Sequence, residues 1–201
     1  MAILVFGDSN SHGTMPLAEL GGVARHPKAA RWPDVAARAL DIEVISEGHP
    51  GRTTVHDDPI DGVHKNGMRA LPAILESHRP LDLVIVMLGT NDCKARFGLR
   101  GWDIAAGPGG GAPRVMLVAP VPVEETGILA EMFQGGRARS RAIAPALRDE
   151  ADRLGCAFFD AGRVAEVDGL DGVHMGVAAQ QALGLALAEA VRSMLQEGTP
   201  C

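Results

Sequence analysis

Aromatic side chains and cysteines are scarce in this chain of 201 residues, which has no tyrosine, two tryptophans, five phenylalanines and three cysteines. An aromatic-rich surface for stacking a sugar ring would therefore depend on Trp32, Trp102 and the phenylalanines. The three cysteines are Cys93, Cys156 and Cys201. They form no close pair and no metal-binding spacing, and an odd number of cysteines favours a reducing compartment.

Charge and hydropathy argue against two classes of partner. The formal net charge is −6, and the basic residues are mostly arginines that form no run. Nucleic-acid binding needs clustered lysines and arginines to neutralise phosphates. No apolar run approaches the roughly 20 residues that span a bilayer, and the first predicted strand begins at residue 3, which leaves no room for a signal peptide. We therefore expect a soluble, cytoplasmic protein without a nucleic-acid or membrane partner.

Strands and helices alternate along the sequence, which predicts an α/β protein. The length fits a single domain, residues 1–201, that buries its core without metal or disulfide support. Strands are predicted at 3–6, 43–46, 83–88, 115–119 and 157–160, and helices at 32–40, 68–77, 137–154 and 177–195. This alternation predicts a parallel sheet with helices on both faces, joined by right-handed crossovers.

Polar segments follow the predicted strand ends. The apolar run Ile3–Phe6 leads directly into Gly7–Ser9, Gly51 follows the second strand, and Asn91 follows the third. A fourth segment, Asp171–His174, immediately precedes the last helix. Because ligands of open α/β sheets bind beyond the carboxyl ends of the strands, we expect these segments to converge at one edge of the sheet.

These residues can form a nucleophilic site. A serine hydroxyl is a weak nucleophile unless a base takes its proton and a third group orients that base. Ser9 is the candidate nucleophile, His174 the base and Asp171 the orienting carboxylate. Attack on an ester carbonyl creates an oxyanion, for which the Ser9 N–H, the Gly51 N–H and the Asn91 amide are candidate donors. Each of these segments alone is typical of a turn or a helix cap. Their order along the chain, with each segment at a strand end or before the last helix, favours a nucleophilic site.

Two other classes of function stay open at this point. In the first, the turn Gly7–Gly13 holds an anion at a helix N-terminus in a non-catalytic module, which would need neither Asp171 nor His174. In the second, a metal ion drives hydrolysis, but no ligand set with a known spacing is present. The segment Asp57–His64 gathers three carboxylates and a histidine, matches no ligand motif, and is interpreted as a solvated loop. No metal and no cofactor is predicted.

Four blocks of the sequence resemble, in order, those of the SGNH (GDSL-type) hydrolases. They are Gly7-Asp8-Ser9, Gly51, Gly89-Thr90-Asn91-Asp92 and Asp171-Gly172-Val173-His174. Wider stretches are similar to a bacterial arylesterase and acyltransferase subgroup, namely Arg52–Thr54 with Asp57–Pro59, Leu81–Asp92, and Phe158–Gly162.

The resemblance carries expectations about fold, activity and assembly. It implies a flavodoxin-like three-layer α/β/α sandwich with a five-stranded parallel sheet, and a serine esterase that hydrolyses short-chain esters, acetyl esters foremost, through an acyl-serine intermediate. Ser9, Asp171 and His174 would form the triad, with Gly51 and Asn91 in the oxyanion hole. It also implies a homo-oligomer, such as an octamer.

The sequence departs from the subgroup in two places. Only a short helix is predicted near Trp102–Ala106, before the glycine-rich stretch Gly107–Gly111, where the subgroup has a long crossover helix. Asn10 and His12 are polar where acyltransferase members are more apolar or aromatic, and we expect both to contact substrate, although His12 is also compatible with an ordinary loop histidine. This polarity favours hydrolysis, or a polar substrate of a carbohydrate O-deacetylase, over acyl transfer to alcohols. Arg52 is predicted to anchor the loop that carries Gly51.

Overall fold

A parallel β-sheet forms the centre of the molecule. The computed structural model describes residues 1–22, 24–97 and 114–196. Within these ranges the strands are β1 Ala2–Gly7, β2 Glu43–Gly48, β3 Leu83–Met87, β4 Arg114–Ala119 and β5 Ala157–Asp160. Their order in the sheet is β2-β1-β3-β4-β5, and every neighbouring pair is parallel. This is the flavodoxin-like order, so the predicted fold class is confirmed.

In the described ranges, α-helices lie between β1 and β2, between β2 and β3, between β4 and β5, and after β5. They are α1 Ser9–His12, α2 Trp32–Leu40, α3 Gly67–Ser77, α4 Gly136–Arg141, α5 Ile143–Leu154 and α6 Val177–Gln196. Short 3₁₀ helices occur at Lys28–Ala30, Val63–Lys65, Asn91–Cys93, Ala95–Phe97, Gly127–Leu129 and Ala161–Arg163. No helix in the described ranges is long and apolar enough to cross a membrane.

One predicted helix is divided in two. Residues 137–154 form α4 and α5, which are separated at Ala142. Pro145 explains the break, because it cannot donate the backbone hydrogen bond to residue 141 and its ring crowds that carbonyl. A proline is tolerated in the first turn of a helix, so α5 starts anew just before it.

Side chains of β1 alternate between the two faces of the sheet. Ile3 and Val5 pack in one core with Trp32 of α2 and with Leu183 and Leu187 of α6. On the opposite face, Leu4 and Phe6 share a second core with residues of α3 and α5, among them Leu71, Ile74, Ile143 and Leu147. Helices therefore cover both faces, which gives the three-layer sandwich and explains why β3 is apolar throughout.

The strand order reverses between β1 and β3. β1 connects to β2 on one side of it, and the chain then crosses to β3 on the other side. Such a switch point opens a crevice at the carboxyl ends of the two strands. Ser9 follows β1 and Asn91 follows β3, so both lie at this crevice. The predicted helix near Trp102–Ala106 and the glycine-rich stretch Gly107–Gly111 lie outside the described residues.

Candidate active site

The fold brings Ser9 next to His174 and Asp171, although 165 positions separate Ser9 from His174 in the sequence. The Oγ of Ser9 lies 3.0 Å from Nε2 of His174, whose Nδ1 lies 2.7 Å from Oδ2 of Asp171. Because an ionised carboxylate only accepts hydrogen bonds, Nδ1 is assigned the imidazole proton, and Nε2 accepts from the serine hydroxyl. All three residues are buried, with His174 6% exposed.

Asp171 is held as a carboxylate by four donors. Its Oδ1 accepts from the backbone N–H groups of Val173 and His174, each at 2.9 Å, and its Oδ2 accepts from the N–H of Leu17 at 2.7 Å and from the imidazole. Burial alone would raise the pKa of Asp171, but these hydrogen bonds outweigh it and lower the pKa below its usual value. The carboxylate therefore stays ionised beside the histidine at neutral pH.

The three expected oxyanion donors lie on neighbouring segments. Ser9 is the first residue of α1, where a backbone N–H has no intrahelical partner. Gly51 lies in a turn with a left-handed φ of +81°, and its N–H makes no hydrogen bond to any residue of the described ranges. The Nδ2 of Asn91 donates one hydrogen bond to the carbonyl of Arg52 at 3.1 Å, which leaves its second N–H for a ligand.

Arg52 fastens the Gly51 turn to the sheet, as predicted. Its Nη1 donates to the carbonyl of Gly7 at 2.9 Å and to the carbonyl of Glu47. Its guanidinium also stacks 4.1 Å from the ring centre of Phe6. The side chain is 5% exposed, so this contact holds the Gly51 turn firmly at the carboxyl end of β1.

Comparisons with known proteins identify the family of this chain. A model of the GDSL-like lipase/acylhydrolase family matches residues 5–182. The chain belongs to this family of ester hydrolases.

Two solved structures illustrate the likeness. Est24, a carbohydrate acetylesterase from Sinorhizobium meliloti, is 36% identical with a TM-score of 0.90, and the match covers 96% of this chain and 99% of that one. The native aryl esterase of M. smegmatis is 40% identical with a TM-score of 0.89, covering 96% of this chain and 98% of that one. The comparison with curated protein sequences gave no significant match.

Asn10 of this GDSL-like hydrolase has a role that differs from the expected substrate contact. Its Nδ2 donates to the carbonyl of Val173 at 3.0 Å, and its Oδ1 accepts from the N–H of Met175 at 3.1 Å. The residue is 2% exposed. Its side chain therefore ties α1 to the segment on either side of His174, which sets the distance between nucleophile and base. The sequence showed only that Asn10 follows Ser9, and not which segment it faces.

His12 lies at the end of α1, next to the end of β2. Its Nδ1 is 3.0 Å from Oγ1 of Thr14, and the imidazole is half-buried. Burial lowers the pKa of His12, and the nearby guanidinium groups of Arg25 and Arg31 lower it further. His12 is therefore neutral at physiological pH and lies near two arginine side chains.

Asp92 is a supporting residue that sequence reasoning missed. It is fully buried and accepts hydrogen bonds from the backbone N–H and the hydroxyl of Thr54, and from Nδ1 of His56. These bonds join the segment that carries Asn91 to the segment that follows Gly51. Its position directly after Asn91 in the Gly-Thr-Asn-Asp block was the available signal.

The sequence predicts that the loop Asp57–His64 is solvated, and this prediction is wrong for Asp58, which is buried. This carboxylate is buried, lies 3.5 Å from Nζ of Lys94 and pairs with Arg96, while Asp61 pairs with the same two cations. Burial alone would raise the pKa of Asp58, but the backbone N–H of Asp61 and the guanidinium of Arg96 hold it well below its usual value. Both cations come from the segment after Asn91, so no local pattern revealed the pairing.

Within the described ranges no group of three or more His, Cys, Asp or Glu side chains is placed to hold a metal ion.

Proposed function

We propose that this protein is a serine esterase that hydrolyses short-chain carboxylic esters, acetyl esters foremost, through an acyl intermediate on Ser9. The observation that carries the proposal is the continuous hydrogen-bonded series from Asp171 to His174 to Ser9, at 2.7 and 3.0 Å. This series joins a nucleophile, a base and an orienting carboxylate at the switch point of the sheet, which is the arrangement that acyl transfer requires.

In the acylation half-reaction, Oγ of Ser9 attacks the ester carbonyl while Nε2 of His174 takes the hydroxyl proton. The carbonyl oxygen becomes an oxyanion, which accepts hydrogen bonds from the N–H groups of Ser9 and Gly51 and from the amide of Asn91. Collapse of this intermediate breaks the ester C–O bond. The imidazolium gives its proton to the leaving alcohol, and the acyl group remains on Ser9.

In the deacylation half-reaction, water takes the place of the alcohol. His174 removes a proton from the water as it attacks the acyl-serine, the same donors hold the second oxyanion, and the proton returns to Oγ of Ser9. Asp171 stays ionised throughout and stabilises the imidazolium in both halves. An alcohol that replaces water at this step gives acyl transfer instead of hydrolysis.

The activity test compares wild type with Ser9→Ala and His174→Ala on p-nitrophenyl acetate, butyrate and octanoate. We expect acetate to be turned over fastest, and each variant to lose at least about 10³-fold in kcat. Circular dichroism of each variant is the control for folding. Equal rates in wild type and Ser9→Ala, or no hydrolysis by wild type, would contradict the proposal.

A carbohydrate O-deacetylase is the second candidate, favoured by the likeness to the S. meliloti acetylesterase and by the polar His12 at the end of the nucleophile helix. Release of acetate from acetylated xylose, compared with release from phenyl acetate, distinguishes the two substrate classes. A higher kcat/KM on the sugar ester supports the deacetylase, and a higher value on the aryl ester supports the arylesterase.

Location and assembly stay predictions. We infer a cytoplasmic protein from the cysteine usage, and a homo-oligomer from the family resemblance. Light scattering on the purified protein gives the mass in solution, and the mass of a single 21.0 kDa chain would contradict the oligomer.

A further inference from the structure

Three side chains that the mechanism does not use surround the Gly51 turn. They are Lys65, at the end of a 3₁₀ helix, and His49 and His64, whose rings meet edge to face with centres 5.8 Å apart. Lys65 and His49 are partly buried, whereas His64 is exposed. His49 is the first residue of this turn, residues 49–52, and Lys65 contacts the turn from a separate segment.

The ammonium of Lys65 ties the turn together. Its Nζ donates to the carbonyl of Pro50 at 2.8 Å and lies 3.3 Å from Nε2 of His49. Because an ammonium group only donates, Nε2 of His49 must accept, so His49 is neutral with its proton on Nδ1. Burial lowers the pKa of His49 to about 4, and the charges of Lys65 and Arg52 contribute to this shift. The acceptor therefore persists through neutral pH.

The stem of Lys65 packs on Gly51 itself. A Cβ added to Gly51 would lie 3.2 Å from Cε, 3.4 Å from Cδ and 3.5 Å from Nζ of Lys65. The lysine side chain thus covers the α-carbon of the residue whose N–H is the expected oxyanion donor, and it brings a positive charge close to that peptide.

The rest of the turn is fixed on both sides. The N–H of His49 donates to the carbonyl of Gly7 at 3.0 Å, and the N–H of Arg52 donates to the carbonyl of His49 at 3.0 Å. On the other side, the N–H of Thr53 donates to the carbonyl of Lys65 at 2.9 Å. The turn is therefore fastened to the nucleophile strand at one end and to Lys65 at the other.

We propose that Lys65, held by His49, is a positioning residue that fixes the Gly51 peptide N–H for oxyanion binding. The inference rests on the proposed esterase function. Oxyanion donors contribute to catalysis only when they are already aimed at the developing charge. A left-handed glycine turn is free to move unless neighbouring groups restrain it, and the hydrogen bond to Pro50 and the contact with Gly51 supply this restraint.

The test compares Lys65→Met with wild type on p-nitrophenyl acetate. Methionine keeps a stem over Gly51 but removes the charge and both hydrogen bonds. We expect kcat to fall about tenfold while KM changes less than about twofold, because the donor acts on the transition state. The matched control is Lys28→Met, since Lys28 is exposed and forms a surface ion pair with Asp34 at 3.8 Å. The kcat of this variant should equal that of wild type.

A second readout addresses the oxyanion directly. A trifluoromethyl ketone forms a tetrahedral adduct on Ser9 whose oxyanion needs the same donors, so its inhibition constant should rise in proportion to the fall in kcat. In the partner variants, His49→Gln retains an acceptor for Lys65 and should keep more activity than His49→Leu. The double variant His49→Leu with Lys65→Met should be no slower than Lys65→Met alone, since both changes remove one interaction.

Four outcomes would overturn the inference. Lys65→Met with wild-type kcat overturns it while leaving the esterase proposal intact, and so does a lowered kcat with an unchanged inhibition constant. Equal losses in His49→Gln and His49→Leu contradict the role of His49 as the acceptor. Absence of wild-type hydrolysis would instead overturn the proposed function, and this inference with it. Melting temperatures close to wild type for the variants show that the losses do not come from unfolding.

Discussion

At the scale of single residues, the site contains two buried carboxylates, Asp171 and Asp8, whose pKa values are shifted in opposite directions. Asp171 accepts four hydrogen bonds and has a lowered pKa. Asp8 caps α1 by accepting from the N–H of Asn10 at 2.9 Å, yet burial raises its pKa to about 6. The number of donors around each carboxylate decides between these outcomes. The donors to Asp171 are not visible in the sequence, because they include Leu17, which is 154 residues away. The donor to Asp8 is local, two residues along the chain.

Replacing Asp171 by asparagine tests the orienting role. The asparagine amide can donate to Nδ1 of His174, which would place the imidazole proton on Nε2 and remove the base for Ser9. We expect kcat to fall by about 10³- to 10⁴-fold with little change in KM. The control is Asp152→Asn on the exposed face of α5, which should keep wild-type kcat. A loss below tenfold in Asp171→Asn would contradict the assignment.

The Asp8→Asn variant tests the raised pKa. Burial raises the pKa of Asp8 in the folded protein to about 6, whereas the pKa of an unperturbed aspartate is 3.8. The folded state therefore binds more protons between these values, and Asp8 makes stability fall as pH rises from about 4 to 6. Asparagine keeps an oxygen for the cap but cannot ionise.

We expect the stability of Asp8→Asn relative to wild type to increase by on the order of 2–3 kcal/mol between pH 4 and pH 7.5. Denaturant unfolding at both pH values measures this difference. A difference between the two proteins that does not vary with pH would contradict the raised pKa.

At the scale of elements, loops outside the sheet are fastened by ion pairs and buried side chains. The loop at Asp58 is joined to the segment after Asn91 through Lys94 and Arg96. The periodicity of the sequence located α2 and β5 to the residue, because apolar spacing and flanking turn residues are local signals. It did not divide α4 from α5, for which Pro145 was the available signal. It could not find the partners of Asp58, because Lys94 and Arg96 lie 36 and 38 residues further along the chain.

Removing the carboxylate of Asp58 should destabilise this connection. Asp58→Asn leaves Lys94 and Arg96 in a largely buried position with Asp61 as their remaining partner, so we expect a loss of on the order of 3 kcal/mol in the free energy of unfolding. Because the pKa of Asp58 is depressed, its contribution is present above the usual carboxyl range and is lost as pH falls through the folded pKa.

The neighbouring Asp57 is the matched control. It pairs with Arg69 at 2.7 Å on the exposed surface and accepts from Nδ2 of Asn66 at 2.8 Å, so Asp57→Asn should destabilise the protein much less than Asp58→Asn does. Urea unfolding at neutral pH compares the two variants. Equal losses would contradict the importance of burial at Asp58.

At the scale of the whole molecule, the topology explains why the site could be predicted. In a parallel sheet every strand ends at the same edge, so residues after β1 and β3 meet there whatever the intervening sequence. The order of the sequence blocks therefore predicted that Ser9, Gly51, Asn91 and His174 converge. It could not predict that Asn10 faces the histidine segment, or that Lys65 covers Gly51, because these contacts depend on side-chain directions.

The most direct test of the central claim is mass spectrometry of the protein quenched in acid during turnover of p-nitrophenyl acetate. The account predicts that a fraction of the wild-type chains carries one acetyl group, located by peptide mapping on Ser9, and that Ser9→Ala carries none there and does not turn over. Hydrolysis that continues in Ser9→Ala, or an acetyl group mapped to another residue with Ser9 unmodified, would contradict it.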